Sequence, residues 1–317
     1  MLLSSDSETA VVKSTGLGLI GFADLYDRLQ PDLLLALGDR FEILAAAQAA
    51  FIKHIPIAHL YGGDVTEGSL DDVFRHTITK MSGLHFVSNA QSGKRVRQLG
   101  EDPSRIHEIG STGVDNLKRS EILSKEALAA ELGHALADRY LLVTFHPVTL
   151  HATPSVTQAQ ILLRALGKLD PNLGIVFTLG NADAEGRQIN AMISDFVRGR
   201  PASQAHTSLG SKRYINLMRY ASAVVGNSSS GLYEAPSLSI PTVNIGNRQE
   251  GRLRAASVID CPMDQSAIGT AIEKALQTKV LGDANPYGDG RASSRLVETL
   301  RQIPDFKALN YKKFVDL

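Results

Sequence analysis

The sequence has 317 residues, a length that suits two domains, and 43% of them are hydrophobic, enough for packed cores. Its 33 Lys and Arg residues balance its 33 Asp and Glu residues, so no net charge attracts nucleic acid or an anionic membrane surface, and small molecules are the expected partners. No apolar run reaches the about 18 residues of a membrane span, and the first residues do not resemble a signal peptide, which together predict a cytoplasmic protein.

The predicted elements alternate between short apolar strands and longer helices. Residues 8–29 have apolar side chains near helical spacing and predict a first helix, and a second is predicted after Asp39, through Ala50. The candidate strands are residues 33–37, 56–60, 84–87, 105–109, 140–145, 174–178, 223–225 and 241–245. This alternation predicts the α/β class with parallel sheets, in which ligands bind beyond the carboxyl ends of the strands.

Two features concern the organisation of the chain. Between Asn116 and Arg139, polar and alanine-rich sequence interrupts the alternation, and we predict the domain boundary there. A nucleotide-type domain normally opens on a buried strand and its loop, whereas this sequence opens on a helical pattern. We therefore expect the first domain to be incomplete at its N-terminus.

The first motif that can carry chemistry follows the first predicted strand. Asp39 and Arg40 at the strand's end would point into the crevice, where Asp39 can move a proton and Arg40 can contact a nucleotide. Alternatively, Asp39 is the N-cap of the helix that follows it. The two roles are compatible.

The second motif, residues 59–76, follows the next strand. Gly62 and Gly63 allow a ligand to approach the backbone closely. The motif also has a high density of acids, namely Asp64, Glu67, Asp71 and Asp72. His59 at the strand's end is interpreted as a core histidine rather than a catalytic one.

Two of these acids have structural alternatives. Ser69 and Asp72 fit a capping box for a helix that begins at Leu70. Asp71 precedes Arg75 by four residues, so the two can form a surface ion pair on one helical face. The sequence leaves open whether Asp71 belongs to such a pair or to a site.

The third motif places His146 at the end of the strand predicted at residues 140–145. If two sheets face each other, His146 points into the cleft between them, where its cation can stabilise a leaving phosphate. The alternative is a structural histidine.

The fourth motif, residues 225–234, runs from a strand into a helix through small polar residues. Exposed backbone N–H groups, the Ser228 and Ser229 hydroxyls and the helix dipole predict a diphosphate cradle, with Glu234 accepting hydrogen bonds from ribose hydroxyls. The alternative is a serine cap with a solvated glutamate. Neither a Walker A loop nor a dinucleotide fingerprint is present.

The fifth motif follows the strand predicted at residues 241–245. Arg248 can offer a forked set of donors to phosphate, as can Arg252. Surface arginines are the alternative for both.

These motifs resemble those of the hydrolysing UDP-N-acetylglucosamine 2-epimerases that open bacterial sialic acid synthesis and form one domain of the bifunctional animal enzyme. The resemblance rests on LGDRFE ending at Glu42, GGDVTEGSLDDVFRHTITK from Gly62, TFHP around His146, GNSSSGLYEAP around Ser228 and GNRQEGR around Arg248. These five motifs, in this order, extend the resemblance over essentially the whole chain.

The resemblance implies a GT-B-like fold, in which two Rossmann-like, doubly wound domains face a cleft. The first domain would span residues 1–120, joined by a C-terminal helix at residues 292–317, and the second would span residues 121–291. The family begins with a strand and a loop whose arginine, in a Gly-x-Arg-like motif, contacts the diphosphate. At about 30 residues per βαβ unit, we expect this chain to lack about two such units.

The resemblance also implies site residues. Catalytic roles fall to Asp39, to an acid of the stretch from Gly62 to Asp72, and to His146. Because some relatives carry a catalytic glutamate where this sequence has Tyr61, Asp64 and Asp71 are the acids favoured here. The UDP-binding candidates are Arg40, Arg75, His146, Asn181, Ser228, Ser229, Glu234 and Arg248.

The implied reaction converts UDP-N-acetylglucosamine and water to N-acetylmannosamine and UDP, by elimination to a glycal and rehydration. No metal or other cofactor is expected. The chain is expected to form a homodimer or homotetramer. The alternatives are hydrolysing epimerases of UDP-N,N'-diacetylbacillosamine or GDP-GlcNAc and, because of the expected incomplete front, a non-catalytic nucleotide-sugar-binding subunit. Non-hydrolysing epimerases carry His-x-Glu-Ala-Gly where this sequence reads HLYGGD.

Overall fold

The computed structural model describes residues 8–66, 69–147, 153–179, 184–280, 282 and 284–317. The strands are β1 (Leu34–Leu37), β2 (Ile57–Leu60), β3 (Leu84–Val87), β4 (Ile106–Glu108), β5 (Tyr140–Thr144), β6 (Gly174–Thr178), β7 (Ser203–His206), β8 (Ala223–Gly226), β9 (Thr242–Ile245) and β10 (Val258–Cys261). The helices are α1 (Glu8–Leu29), α2 (Phe41–Ile52), α3 (Leu70–Met81), α4 (Ala90–Gln98), α5 (Thr112–Arg119), α6 (Lys125–Leu132), α7 (Ser155–Gly167), α8 (Ala184–Arg198), α9 (Gly210–Tyr220), α10 (Ser230–Tyr233), α11 (Gln265–Gln277) and α12 (Ala292–Arg301). Short 3₁₀ helices cover Pro103–Arg105, Ala235–Leu238 and Phe306–Asn310.

The chain divides into two compact units. The first unit comprises Met1–Thr112 and Arg291–Leu317, and the second comprises Gly113–Gly290. Each contains one parallel sheet, so the predicted α/β class is confirmed. Within the part of the chain that the structure describes, no helix is long and apolar enough to cross a membrane.

The sheet of the first unit has the strand order β1-β2-β3-β4, with all pairs parallel. Every residue of β2 and β3 is buried, as expected for strands covered on both faces, whereas Leu35 and Leu37 of the edge strand β1 are about half exposed. Helices α2 and α3 pack against β1 and β2 in one apolar cluster, and α1 packs on α2. Helix α12 packs against β2 and β3 in a separate apolar cluster.

The C-terminal segment differs from its prediction. Helix α12 ends at Arg301 rather than continuing to residue 317, because Pro304 follows and a proline cannot continue a helix. Beyond the helix, Val315 donates its N–H to the Gly100 carbonyl at 3.0 Å. Lys312 contacts the buried carboxylate of Glu101 at 2.7 Å. The segment is therefore attached to the first unit by specific polar contacts.

The sheet of the second unit has the strand order β10-β9-β8-β5-β6-β7, again with all pairs parallel. Along β5, Leu141 and Val143 join an apolar cluster with α7, α8 and α11, whereas Tyr140 and Leu142 join a cluster with α6 and α9. The strand order reverses between β5 and β8, the place where an open α/β sheet forms a crevice at its carboxyl edge. This is the doubly wound, Rossmann-like arrangement that was predicted.

The eight predicted strands are all present, with ends that agree within one residue. The edge strands β7 and β10 were missed. Their sequences, Ser-Gln-Ala-His and Val-Ile-Asp-Cys, do not form buried apolar runs, because an edge strand is partly exposed.

Candidate active site

In the first unit the candidate residues gather around Arg75. This side chain is 5% exposed and forms ion pairs with Asp39 and Asp72. Its Nη1 also donates to the Asp64 carbonyl at 2.8 Å, and its Nη2 to the Thr66 hydroxyl at 2.9 Å. Burial alone would lower the pKa of Arg75, but Asp39 and the other nearby acids raise it above the ordinary value. Arg75 therefore remains charged and links the loop after β1 to helix α3.

Of the two alternatives left open for Asp71, the surface ion pair with Arg75 is wrong. Arg75 points inward, where the carboxylates it contacts are Asp39, which is 36 residues away in sequence, and Asp72. Asp71 lies in the first turn of α3, where its N–H is capped by the Ser69 hydroxyl at 3.2 Å. Asp71 is therefore not needed to neutralise the charge of Arg75.

The capping box is confirmed in part. Ser69 is the N-cap of α3, as predicted. Asp72, however, accepts the backbone N–H of Thr66 at 2.6 Å instead of that of Ser69. Burial by itself would raise the pKa of Asp72, but hydrogen bonds from His76 and Thr66, together with the charge of Arg75, hold it below the ordinary value.

Asp39 and Arg40 follow β1 directly, as predicted. The N-cap of α2 is Arg40, and no side chain caps the helix, so the interpretation of Asp39 as the N-cap is wrong. The Asp39 side chain is 25% exposed, in contact with Arg75 on one side and accessible to a ligand on the other. Arg40 is exposed, and its Nε lies 3.3 Å from Glu42.

Asp64 is buried, unlike Asp39. Its Oδ1 accepts hydrogen bonds from the hydroxyls of Ser88 and Ser92, both at 2.6 Å. The carboxylate is thus held between Ser88, which follows β3, and Ser92 on α4. The catalytic role of Asp64 stays a prediction, and the structure shows that two hydroxyl groups already engage its Oδ1.

Two further residues at the end of β2 are well anchored. His59 is completely buried, with Nε2 3.3 Å from the Gly38 carbonyl, and burial lowers its pKa to about 3. Tyr61 has a positive φ of 67°, and its hydroxyl accepts the N–H of Thr112 at 2.8 Å. The interpretation of His59 as a core histidine agrees with this burial.

In the second unit, His146 follows β5 and Asn227 follows β8, so the two flank the point where the strand order reverses. Burial, helped by the charge of Arg248, lowers the pKa of His146 to about 4. The imidazole is therefore neutral at neutral pH in the unliganded protein, whereas the sequence prediction gave it a cationic role beside a leaving phosphate.

The predicted cradle lies directly after Asn227. Among the described residues, the backbone N–H groups of Ser228 and Ser229 have no hydrogen-bond partner, and both side chains are partly exposed. Gly226 must be glycine here: its φ is +134°, and an added Cβ would lie 1.9 Å from the Thr144 carbonyl oxygen. Two adjacent donors at this edge suit an anionic group.

The helix in this motif is shorter than predicted. Helix α10 is a single turn, and Glu234 is its C-cap instead of an interior residue. A single turn carries little dipole, so the donors for an anion are the individual N–H and hydroxyl groups. Arg248 lies near the same edge, with Nη1 3.1 Å from the Asn227 carbonyl, whereas Arg252 contacts Gln249 and the ring of Tyr233.

Glu234 lies near Tyr214 and Ser230, two of the residues that line a pocket of about 310 Å³ at the carboxyl ends of β5 and β6. Ser230 donates to its carboxyl group, but the buried Oε2 has no partner among the described residues. Burial raises the pKa of Glu234 to about 7. The pocket is rich in hydroxyl groups, which come from Thr144, Thr178, Thr207, Ser208, Ser211, Tyr214, Ser228 and Ser230.

Several of these lining residues were not predicted from the sequence. His206 ends β7, the edge strand that was missed, and the lining residues from Thr207 to Ser211 follow it, so a strand assignment there would have indicated them. Tyr214 lies on α9, and its hydroxyl bonds with Ser230 and Thr144. Asn181, a predicted UDP contact, and Glu67 lie outside the described residues.

Comparison with known proteins agrees with this arrangement. The family model described as UDP-N-acetylglucosamine 2-epimerase matches residues 1–301. The chain belongs to the UDP-N-acetylglucosamine 2-epimerase family. It is 36% identical to the GDP/UDP-N,N'-diacetylbacillosamine 2-epimerase (hydrolyzing) of Campylobacter jejuni, over 100% of this chain and 83% of that protein. It is also 36% identical to polysialic acid biosynthesis protein P7 of Escherichia coli, over 99% of this chain and 81% of that protein.

Solved structures show the same fold. The UDP-GlcNAc 2-epimerase of Neisseria meningitidis bound to UDP-GlcNAc matches with a TM-score of 0.80 at 19% identity, covering 95% of this chain and 84% of the other. The enzyme of Methanocaldococcus jannaschii in complex with UDP-GlcNAc and UDP matches with a TM-score of 0.78 at 20% identity, covering 90% and 80%. The predicted GT-B-like fold class of this epimerase family is confirmed.

Proposed function

We propose that the chain is a hydrolysing 2-epimerase of a UDP-linked N-acetylated sugar, which releases UDP and the free 2-epimer. The observation that carries the proposal is the group at the carboxyl edge of the second sheet. There, among the residues that the structure describes, the N–H groups of Ser228 and Ser229 and the Glu234 Oε2 lack partners close to a hydroxyl-lined pocket. Two donors and one acceptor match a diphosphate followed by ribose hydroxyls.

In this proposal Ser228, Ser229 and Arg248 bind the diphosphate, and Glu234 accepts a hydrogen bond from the ribose. Neutral His146 donates a hydrogen bond to the departing diphosphate, whose bridging oxygen gains charge in the transition state. Because such contacts strengthen as the bond breaks, they raise turnover rather than only affinity.

The first unit supplies the proton chemistry. Asp39 is an ionisable side chain that is held by Arg75 and still partly exposed, which suits a base for the weakly acidic C2 proton. Asp71 is the second acid candidate, and Asp64, held by two serines, positions the loop. Water then adds to the resulting glycal.

Two nucleotide sugars are candidates for the substrate. UDP-N-acetylglucosamine, which would give N-acetylmannosamine for sialic acid synthesis, is one. A diacetylbacillosamine nucleotide is the other, favoured by the name of the Campylobacter jejuni relative.

The test is incubation of the purified chain with UDP-N-acetylglucosamine and, separately, with UDP-N,N'-diacetylbacillosamine, followed by NMR. We expect free UDP and one free 2-epimerised sugar from one of the two substrates, with deuterium from heavy water at C2. UDP release with retention of the C2 proton would contradict the elimination mechanism. No reaction with either substrate would contradict the proposed function.

A further inference from the structure

Asn227 is a buried amide, 1% exposed, at the point where the strand order of the second sheet reverses. Its Oδ1 accepts the backbone N–H of His146 at 2.7 Å, and its Nδ2 donates to the His146 carbonyl at 2.8 Å. This reciprocal pair fixes both backbone polar groups of His146. Only an amide of this length offers an acceptor and a donor side by side in this way.

The backbone of Asn227 is also fully engaged. Its carbonyl accepts from Arg248 Nη1 at 3.1 Å and from Gln249 Nε2 at 2.8 Å, and its N–H donates to the Thr144 carbonyl at 3.2 Å. Gln249 is completely buried. A single residue therefore joins the segments that follow β5, β8 and β9, which carry the third, fourth and fifth sequence motifs.

We propose that Asn227 is a positioning residue, which holds His146 and Arg248 in register with the two N–H groups that follow it in the chain. The inference rests on the proposed function, which assigns diphosphate contacts to His146 and Arg248. Alanine at this position would leave the N–H and the carbonyl of His146 unpaired. Serine can satisfy one of the two but is too short to reach both.

A matched control lies in the same unit. Asn216 is equally buried, and its Oδ1 accepts the N–H of Leu123 at 2.9 Å. Its Nδ2 donates to the carbonyls of Glu121 at 2.8 Å and Lys212 at 2.9 Å. It therefore links backbone segments as Asn227 does, but without contact to His146 or Arg248.

The experiment compares the full-length Asn227→Ala, Asn227→Ser and Asn216→Ala variants with the wild type. Three quantities are measured: thermal stability, UDP affinity by calorimetry, and titration of the His146 imidazole by NMR of labelled histidine, assigned with His146→Gln. For Asn227→Ala we expect UDP affinity to fall by about tenfold, the effect of one lost interaction of hydrogen-bond strength. The His146 pKa should rise from about 4 toward the ordinary 6.5 as the imidazole moves away from its partly buried position near Arg248.

Asn227→Ser should give intermediate values, and Asn216→Ala should lower the melting temperature while leaving UDP affinity and the His146 titration unchanged. The proposal is overturned if a folded Asn227→Ala protein retains both wild-type values, or if Asn216→Ala changes them equally. Should the alanine variant not fold, the serine variant decides by the same criteria.

These measurements separate the two hypotheses. Neither UDP affinity nor the histidine titration requires turnover, so a wild-type protein that binds UDP but converts no sugar would refute the proposed function alone. If the wild type does not bind UDP, the proposed function fails and the His146 titration still tests Asn227. In an active wild type, Asn227→Ala should lower kcat by up to about 100-fold, as expected for misplaced catalytic groups.

Discussion

Two glutamates, one in each unit, have opposite surroundings: Glu101 is buried, whereas Glu234 is partly exposed but has a buried Oε2. In the first unit, both oxygens of Glu101 are paired, with Lys80 at 2.7 Å, Lys312 at 2.7 Å and His85 at 3.0 Å. Burial alone would raise its pKa, but these hydrogen bonds and charges lower it to about 2. In the second unit, Glu234 has an Oε2 without a partner in the described part of the chain, and burial raises its pKa to about 7.

The difference separates a structural acid from a binding one. The protein itself supplies every partner of Glu101, two of them from helix α3 and strand β3 and one from the C-terminal segment. Glu234 keeps an acceptor for a donor from outside, as a ribose hydroxyl would provide. Asp39 lies between these extremes, since Arg75 pairs with it while a quarter of its side chain remains exposed.

The largest effect is expected at Asp39. Asp39→Asn keeps the size of the side chain and removes the base, so kcat should fall by about 10²- to 10⁴-fold, the usual contribution of general base catalysis. UDP affinity, measured by calorimetry, should change little. Asp27→Asn, which alters an exposed acid of the same unit paired with Lys53, serves as the control and should keep its kcat. Full turnover in Asp39→Asn would show that Asp39 is not the base.

The sequence predicted where the site residues lie better than it predicted which residues they contact. Strand ends were predictable because buried strands are apolar runs, and Asp39, His146 and Ser228 were recognised from their place after such runs. Helical spacing offered Asp71 as a partner of Arg75, yet the fold brings Asp39 to Arg75 from another loop. Glu101 and Asn227 escaped notice because their partners, Lys312 and His146, are distant in sequence.

The second prediction concerns Glu101. Its pKa is lower in the folded protein than the ordinary 4.5, so its stabilising contribution is complete above that pH and is lost as the pH falls toward about 2. Glu101→Gln should therefore reduce the free energy of unfolding by about 3 kcal/mol at pH 7, with a smaller difference at pH 3. Urea unfolding at pH 7 and at pH 3 measures this reduction in the free energy of unfolding.

Glu121→Gln is the matched control for Glu101, because it weakens an exposed pair with Lys212. It should cost at most about 1 kcal/mol at either pH. Equal losses in the two variants would mean that the buried contacts of Glu101 contribute no more than surface ones.

The third prediction concerns Glu234, whose pKa shift is opposite in direction to that of Glu101. The pKa of Glu234 is higher in the folded protein, so its favourable contribution is complete below the ordinary 4.5 and is lost as the pH rises through about 7. Glu234→Gln removes the charge that is buried at high pH, so at pH 8 this variant should be more stable than the wild type by about 2 kcal/mol. At pH 4 the two proteins should unfold at similar urea concentrations. A wild type that is the more stable at pH 8 would contradict the unpaired environment.

The same variant should lose function while gaining stability. Glutamine keeps one oxygen that can accept a hydrogen bond but lacks the charge, so UDP affinity at pH 8 should fall by about tenfold, the difference between a charged and a neutral acceptor. Glu250→Gln, an exposed position in the same unit, should leave the affinity unchanged. Deoxyuridine diphosphate tests the contact directly: if Glu234 binds a ribose hydroxyl, the wild type should bind it more weakly than UDP, and Glu234→Gln should discriminate less between the two nucleotides. Equal discrimination by the two proteins would assign the ribose contact to another residue.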